Sequence, residues 1–229
     1  MIKRIGLIGY GKMGKMVEEA AAGKHIEVAV RFDEFNPFHE SANVRQSLQS
    51  VPVLIDFSVP DIVLENIRLC AKWSVNLVIG TTGWQKEMQE ARRLAETGGI
   101  GIVYAFNFSL GVNLFYRILR SAAETFREFE GYDPYVVEAH HQFKKDAPSG
   151  TAIVISEILE SVLKKRVPVN SVRAGYIPGT HSVSFDSVAD TIELKHTARN
   201  RQGFAEGALL AAQWIAGKSG FHAFSDILD

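Results

Sequence analysis

Cysteine is almost absent from this chain of 229 residues: the single Cys70 can form neither an internal disulfide nor a cysteine-rich metal site. It lies in an apolar, helix-like stretch with Ile67, Leu69 and Ala71, so it is expected to fill core in a reducing compartment. Nowhere does the chain carry the roughly twenty apolar residues that a membrane helix needs. The opening apolar run at 5–8 is too short for a secretory signal. A soluble, cytoplasmic protein without a membrane partner is expected. An excess of one charge is missing too, since 25 Lys and Arg against 26 Asp and Glu leave a formal charge of −1. No bulk field favours nucleic acid, so no nucleic-acid partner is expected and any charged ligand must be held locally. Internal repeats, low-complexity tracts and long charge runs are also lacking, which leaves no flexible linker in view. What the chain does have is 46% hydrophobic residues, ample for one large domain or two small ones.

Up to about residue 105, short apolar runs alternate with longer amphipathic segments. The runs at 5–8, 28–32, 53–57, 75–79 and 102–105 are near-continuous, as expected of strands buried on both faces. Segments 13–22, 62–73 and 84–96 have helical spacing. This βα rhythm predicts a doubly wound parallel sheet, hence an α/β domain. After Asn107 a helix-like segment at 109–129 gives way to an apolar strand ending at His140 and a polar loop reaching Ser149. A helix at 153–163 follows, then strand-like alternation at 172–177, 181–189 and 191–196, broken by Pro178 and Gly179. A second, α+β domain with a largely antiparallel sheet is expected there. The final helix, at 204–215, places Phe204, Ala208, Ala211, Ala212 and Ile215 on one stripe.

Gly9-Tyr10-Gly11-Lys12-Met13-Gly14 is a G-x-G-x-x-G that follows an apolar strand and opens an amphipathic helix. In that context Gly9 permits a tight turn, Gly11 lets backbone approach a pyrophosphate, and Gly14 allows close helix–strand packing. The helix N-terminus, with Lys12 and Met13 in its first turn, offers N–H groups to phosphate. Asp33 lies about twenty residues on, where an acid meets ribose hydroxyls in a Rossmann dinucleotide site. The alternative is that the glycines only close a strand–helix turn. Phe57-Ser58 and Gly80-Thr81-Thr82-Gly83 each follow an apolar run, at the carboxyl ends of strands where such sheets bind ligands. Each is equally readable as an ordinary turn with Ser or Thr as a helix cap.

The stretch from Glu138 to Thr151 concentrates ionisable residues in a chain with only 7 histidines. On a strand, adjacent His140 and His141 point to opposite faces, a poor arrangement for chelating one metal and a good one for two separate tasks. No third ligand lies nearby, and no metal is expected. A histidine supplies a proton near neutrality, and Lys144 suits a substrate carboxylate. Ser149, Gly150 and Thr151, after Pro148, read as a helix N-terminus that binds a second anion. Two anion grips flanking a proton donor imply a small dicarboxylate. The alternative is a solvated turn with Asp146 or Ser149 as a cap, a role that can coexist with binding.

Glu138-Ala139-His140-His141-x-x-Lys144-x-Asp146-Ala147-Pro148-Ser149-Gly150-Thr151-Ala152 resembles the signature of the 4-hydroxy-tetrahydrodipicolinate reductases, NAD(P)H enzymes of the diaminopimelate route to lysine. Gly80-Thr81-Thr82-Gly83, Asn107-Phe108-Ser109-Leu110-Gly111-Val112-Asn113 and Arg201-Gln202-Gly203-Phe204-Ala205-Glu206-Gly207-Ala208 resemble the family's other motifs, in the same order. By matched position the resemblance implies that His140 is the proton donor, that His141 and Lys144 bind substrate, and that Ser149, Gly150 and Thr151 hold a carboxylate. It implies that Gly80, Thr82, Ala105, Asn107 and Phe108 face the nicotinamide of NADH or NADPH, with Arg201 also on the cofactor side. It further implies that the last helix returns to the first domain, giving a dinucleotide-binding domain of 1–106 with 204–229 and a substrate-binding domain of 107–203. The second domain's sheet would assemble a homotetramer.

Three departures from the family pattern stand out. The glycine loop is one residue shorter than the G-x-x-G-x-M-G common in the family. A stretch that longer members carry between Val169 and Arg173 is missing, which trims the sheet. Glu34 follows Asp33 where many members place an arginine, so two acids meet the adenosine ribose and NADH is expected to serve at least as well as NADPH. Arg31 and Lys12 are the cations available to reverse that preference. Two other functions fit parts of the chain: a dehydrogenase of another small carboxylate or amino acid, and a non-catalytic NAD(H) sensor. Neither accounts for the paired histidines, lysine and anion turn together.

Overall fold

The computed structural model describes residues 2–228. The chain divides into two units, Met1–Ser109 with Gln202–Asp229, and Leu110–Arg201. No helix among the described residues is long and apolar enough to cross a membrane.

In the first unit, strands β1 (Arg4–Ile8), β2 (Glu27–Phe32), β3 (Val53–Asp56), β4 (Asn76–Ile79) and β5 (Gly101–Tyr104) coincide with the apolar runs. The helices α1 (Lys12–Ala22), α3 (Val63–Trp73) and α4 (Met88–Gly98) fill the intervals, and α7 (Gln202–Ile215) returns to this unit. With a sixth strand, β10 (Gly220–Ala223), the parallel sheet runs β10-β5-β4-β3-β1-β2, so the direction of winding reverses between β1 and β3. That reversal opens a crevice at the strands' carboxyl ends. Strand residues alternate between two cores. Ile5, Leu7, Ile55 and Val103 pack with Ala208, Ala212 and Ile215, whereas Ile8, Leu54, Leu77 and Ile79 pack with Ile67, Cys70 and Ala91. Cys70 is wholly buried, as its apolar surroundings predict.

Two elements here escape sequence reading. One is α2 (Ala42–Ser47), capped by Ser41, whose hydroxyl accepts from the Val44 N–H at 3.2 Å. The other is the edge strand β10 (Gly220–Ala223), parallel to β5.

The second unit holds α5 (Leu110–Phe126), β6 (Asp133–His140), α6 (Gly150–Leu163), β7 (Val169–Arg173), β8 (Thr180–Asp186) and β9 (Thr191–Thr197). Its sheet runs β7-β6-β8-β9. The β6–β8 and β8–β9 pairs are antiparallel, while β6 and β7, joined through α6, are parallel. The strand expected at 172–177 lies earlier, because Val169–Arg173 pairs with 136–140 and Gly175, at φ +49°, turns the chain away. One sheet face packs on the helices through Val136, Val183, Phe185, Phe115, Leu119, Ile155 and Leu159. Glu138 and His140 follow Val136 on that same buried face, by the two-residue period of a strand.

Candidate active site

In the first unit, β1 runs directly into the glycine loop. Gly9 has φ +87°, its N–H donates to the Phe32 carbonyl at 2.9 Å, and a Cβ there would overlap the Phe57 carbonyl. A Cβ on Gly14 would overlap the Gly9 carbonyl, so this residue locks helix to turn. Gly11 is different: it precedes α1 and a Cβ on it would meet nothing within 4 Å. No side chain caps α1, so the exposed Gly11 and Lys12 lead to uncapped N–H groups. Such a cradle fits a phosphate. Met13 beside them is half-buried.

The neighbouring strand ends are fastened by Asp56, a fully buried acid that sequence reading passed over. Its carboxylate accepts from Ser58 N–H at 2.8 Å, Asn66 Nδ2 at 2.9 Å and Thr81 Oγ1 at 3.0 Å. Burial raises its pKa, and these donors oppose the rise. Thr81 therefore points inward while Thr82 is exposed, and Gly80 leaves the space occupied by the Phe57 ring. Ala105 and Asn107 are half-buried, and Asn107 Oδ1 accepts from the Ser109 N–H at 2.8 Å. Phe108 is core, with its ring 4.9 Å from Phe224, so only its backbone is available to a ligand.

At the end of β2, Asp33 Oδ1 accepts from the N–H groups of Phe35 and Asn36, each at 2.9 Å, which closes a turn and leaves Oδ2 for other partners. Arg31 is engaged by Glu18, and the Tyr10 hydroxyl donates to the same carboxylate. Glu34 is exposed. Arg201 is also exposed, and belongs to the second unit.

In the second unit, Glu138 is wholly buried at the centre of a network. Arg173 reaches across from β7 and forks onto it, Nη1 to Oε2 at 3.0 Å and Nη2 to Oε1 at 2.6 Å. Oε1 also accepts from the Ser149 N–H at 3.3 Å, and Oε2 meets His140 Nδ1. Burial pushes the Glu138 pKa up, but hydrogen bonds from Arg173, Ser171 and His140 outweigh it and bring it to about 2. His140 is held below the usual histidine value. Burial is the main cause, Glu138 opposes it, and Lys144 and Arg173 reinforce it. Lys144 pairs with Asp146 at 2.8 Å.

Ser149 caps α6, accepting from the Ala152 N–H at 3.2 Å, and its hydroxyl lies 3.1 Å from His181 Nε2. Asp146 is not the cap. Gly150 presents an open side, while the Thr151 hydroxyl bonds to Tyr116, whose pKa burial pushes up to about 12. His141, just past the end of β6, lies beside Phe143, ring centroids 6.1 Å apart.

One expectation needs correcting. The fold does supply a third donor near His140: Glu138, His140 and His181 offer atoms within 4.8 Å of one another, the one such cluster among the described residues. His141 takes no part. Because Arg173 forks onto both Glu138 oxygens, positive charge already stands where a cation would be placed. Glu138 had a legible signal, an acid two residues before a histidine on a strand. Arg173 and His181 did not, since they lie 35 residues from Glu138 and 32 from Ser149.

Two family models, described as dihydrodipicolinate reductase N-terminus and C-terminus, match residues 3–108 and 111–228. A 4-hydroxy-tetrahydrodipicolinate reductase of Christiangramia forsetii is 36% identical over 236 residues, covering 98% of this chain and 97% of that protein. One from Thermosipho africanus is 36% identical over 228 residues, with the same coverage. The solved structure of a dipicolinate-bound dihydrodipicolinate reductase from Paenisporosarcina sp. TG-14 aligns with 99% of this chain and 100% of that one. Its TM-score of 0.83 at 24% identity shows a shared fold. Matched in order through both halves, and by relatives at nearly full length, the chain belongs to the dihydrodipicolinate reductase family.

Proposed function

We propose that the chain is a cytoplasmic NAD(P)H-dependent reductase that converts 4-hydroxy-tetrahydrodipicolinate to tetrahydrodipicolinate in the diaminopimelate route to lysine. Family membership supports the reaction. The observation that carries its assignment to residues is the second unit's cluster, in which a buried His140 is tied to Glu138 and electrostatically coupled to Lys144. The reaction consumes a hydride and a proton and releases water. A bound nicotinamide nucleotide supplies the hydride, to substrate C4.

The chain's own residues bind and protonate. Lys144, released from Asp146, pairs with one carboxylate. The α6 N-terminus at Ser149, Gly150 and Thr151 takes the other, with His141 as a further contact. His140 Nδ1 faces Glu138, so Nε2 is the atom that carries the proton to substrate, directly or through a water. A dianion beside His140 offsets the positive charge of Lys144 and Arg173, so substrate arrival raises the histidine's affinity for that proton. In the first unit, Gly9, Gly11, Lys12, Met13 and Gly14 would hold the pyrophosphate and Asp33 Oδ2 the adenosine ribose. Gly80, Thr82, Ala105, Asn107 and the Phe108 backbone would hold the nicotinamide end, with Arg201 on the cofactor as well.

Two finer features belong to the same reading. NADH serves at least as well as NADPH, since Glu18 occupies Arg31 and Glu34 adds a second acid near Asp33. The sheet face opposite α5 and α6, which carries Tyr135, Val137 and the exposed Val172, is where a homotetramer assembles; sedimentation equilibrium tests it. The direct test of function is NAD(P)H oxidation by the purified chain with enzymatically generated substrate. Absence of substrate-dependent oxidation with either nucleotide overturns the proposal.

A further inference from the structure

Resting on that reading, we infer that Glu138 is the positioning residue for the proton transfer. Anchored by Arg173, it fixes the His140 ring with Nδ1–H directed inward and Nε2 left facing the reaction. Three observations combine.

The first is covalent: Glu138 and His140 are two apart on β6 and share a face, so a carboxylate in extended backbone stands directly beside the ring. The second is the accounting of lone pairs. Arg173 donates to both Glu138 oxygens, the Ser149 N–H adds to Oε1, Ser171 also hydrogen-bonds the carboxylate, and Oε2 meets His140 Nδ1. An ionised carboxylate only accepts, so Nδ1 must be the protonated nitrogen of the neutral ring. The third is the space at the ring's other end. Gly179, at φ +142°, lies where a Cβ would come within 3.1 Å of Nε2 and 3.3 Å of Cδ2. Glycine keeps that nitrogen clear.

The groups facing His140 come from four elements. Glu138 is on β6, Arg173 at the end of β7, His181 on β8 with ring centroids 5.2 Å away, and Lys144 in the loop after β6, paired with Asp146. Glu138 alone among them favours an imidazolium; Arg173 and Lys144 disfavour one. When Nε2 takes up a proton before transfer, the resulting positive charge is shared with Glu138, and on transfer the ring returns to its Nδ1–H form. Arg173 also donates to the Asp146 carbonyl, so one guanidinium ties the positioning carboxylate to the Lys144–Asp146 loop.

The test has two arms. In the wild-type chain without substrate or nucleotide, nitrogen NMR of the histidine side chains, assigned with His140→Gln, should show His140 as the Nδ1–H tautomer above its pKa. A predominantly Nε2–H ring overturns the inference with no demand on Glu138 variants folding. In steady-state kinetics, Glu138→Gln should lower kcat at least about tenfold with KM for both substrates changed less than about threefold. The limb of the pH profile that reports His140 should move to lower pH, because the one neighbour favouring its charged form is neutralised. Glu138→Asp should recover part of kcat. Unchanged kcat and pH profile in Glu138→Gln refute the positioning role while leaving the reductase assignment standing. Failure of the wild type to turn over refutes the assignment, and the tautomer is still read independently.

Discussion

Acidification should destabilise this protein through His181 before it reaches the Glu138–Arg173 ion pair. His181 is 5% exposed on β8, and burial, reinforced by His140, lowers its pKa from 6.5 to about 4. In the unfolded chain the ring takes a proton near 6.5, and in the folded chain only near 4. Between those values the unfolded state binds the additional proton. The stabilisation is therefore complete above about pH 6.5 and is lost as pH falls through the folded value. At ~1.4 kcal/mol per tenfold change, the loss attributable to His181 is roughly 3 kcal/mol. His140 and His196 are lowered in the same direction and add to the wild-type slope. Glu138 acts in a lower window, from its ordinary 4.5 down to about 2. Urea unfolding followed by circular dichroism, at fixed protein concentration and at intervals from about pH 7.5 to 4, gives stability against pH. His181→Gln removes the titration, and any constant effect on packing drops out of the comparison of slopes. The wild type should lose roughly 2–3 kcal/mol more than the variant across that range. Parallel curves would refute the reasoning, because they require His181 to titrate alike in both states.

Lys144→Ala should lower kcat/KM by about 1.5–3 kcal/mol, the cost of one charge-assisted contact, with nucleotide Kd unchanged in a fluorescence titration. Gly14→Ala forces a Cβ into the Gly9 carbonyl and should cost on the order of 1–3 kcal/mol in stability by urea titration. Gly11→Ala, with open space around it, should leave stability within about 0.5 kcal/mol while weakening nucleotide binding. Glu34→Arg should raise kcat/KM for NADPH relative to NADH, and an unchanged ratio would show that the 2′-phosphate lies elsewhere.

The first unit is legible because its strands are buried on both faces, so each appears as an unbroken apolar run whose position needs no knowledge of its partner. The glycine pattern then falls at a strand–helix junction, and the overlaps a Cβ would cause at Gly9 and Gly14 show why alanine is disfavoured at either. What escapes has the opposite character. β10 is four residues long with Phe221 as its one buried side chain, and it is a strand because β5 pairs with it. α2 spans six residues, too few for a helical period to declare itself. The misplacement of β7 has the same source. Its burial barely alternates, and its register is set by β6 rather than by its own pattern.

The second unit's site divides along a different line. His140, Lys144 and Ser149 cluster within ten residues, and residue chemistry suffices to single them out. Their supports do not cluster. An acid two residues before a histidine is compatible with a solvated strand or with a buried partner, and only a counter-ion decides between them, because a carboxylate buried alone is strongly destabilising. Arg173 decides it from a strand whose sequence gives no hint of the pairing. Ser149 illustrates the same separation within one residue. The turn that contains it is readable as an anion site, yet its hydroxyl also caps α6 and meets His181, so the atom proposed for binding already serves the fold. Asp33 divides its oxygens similarly, with Oδ1 taken by its own turn and Oδ2 left for other partners. In each case the motif names the group proposed to meet a ligand, and the tertiary fold determines which of that group's atoms are left for that role.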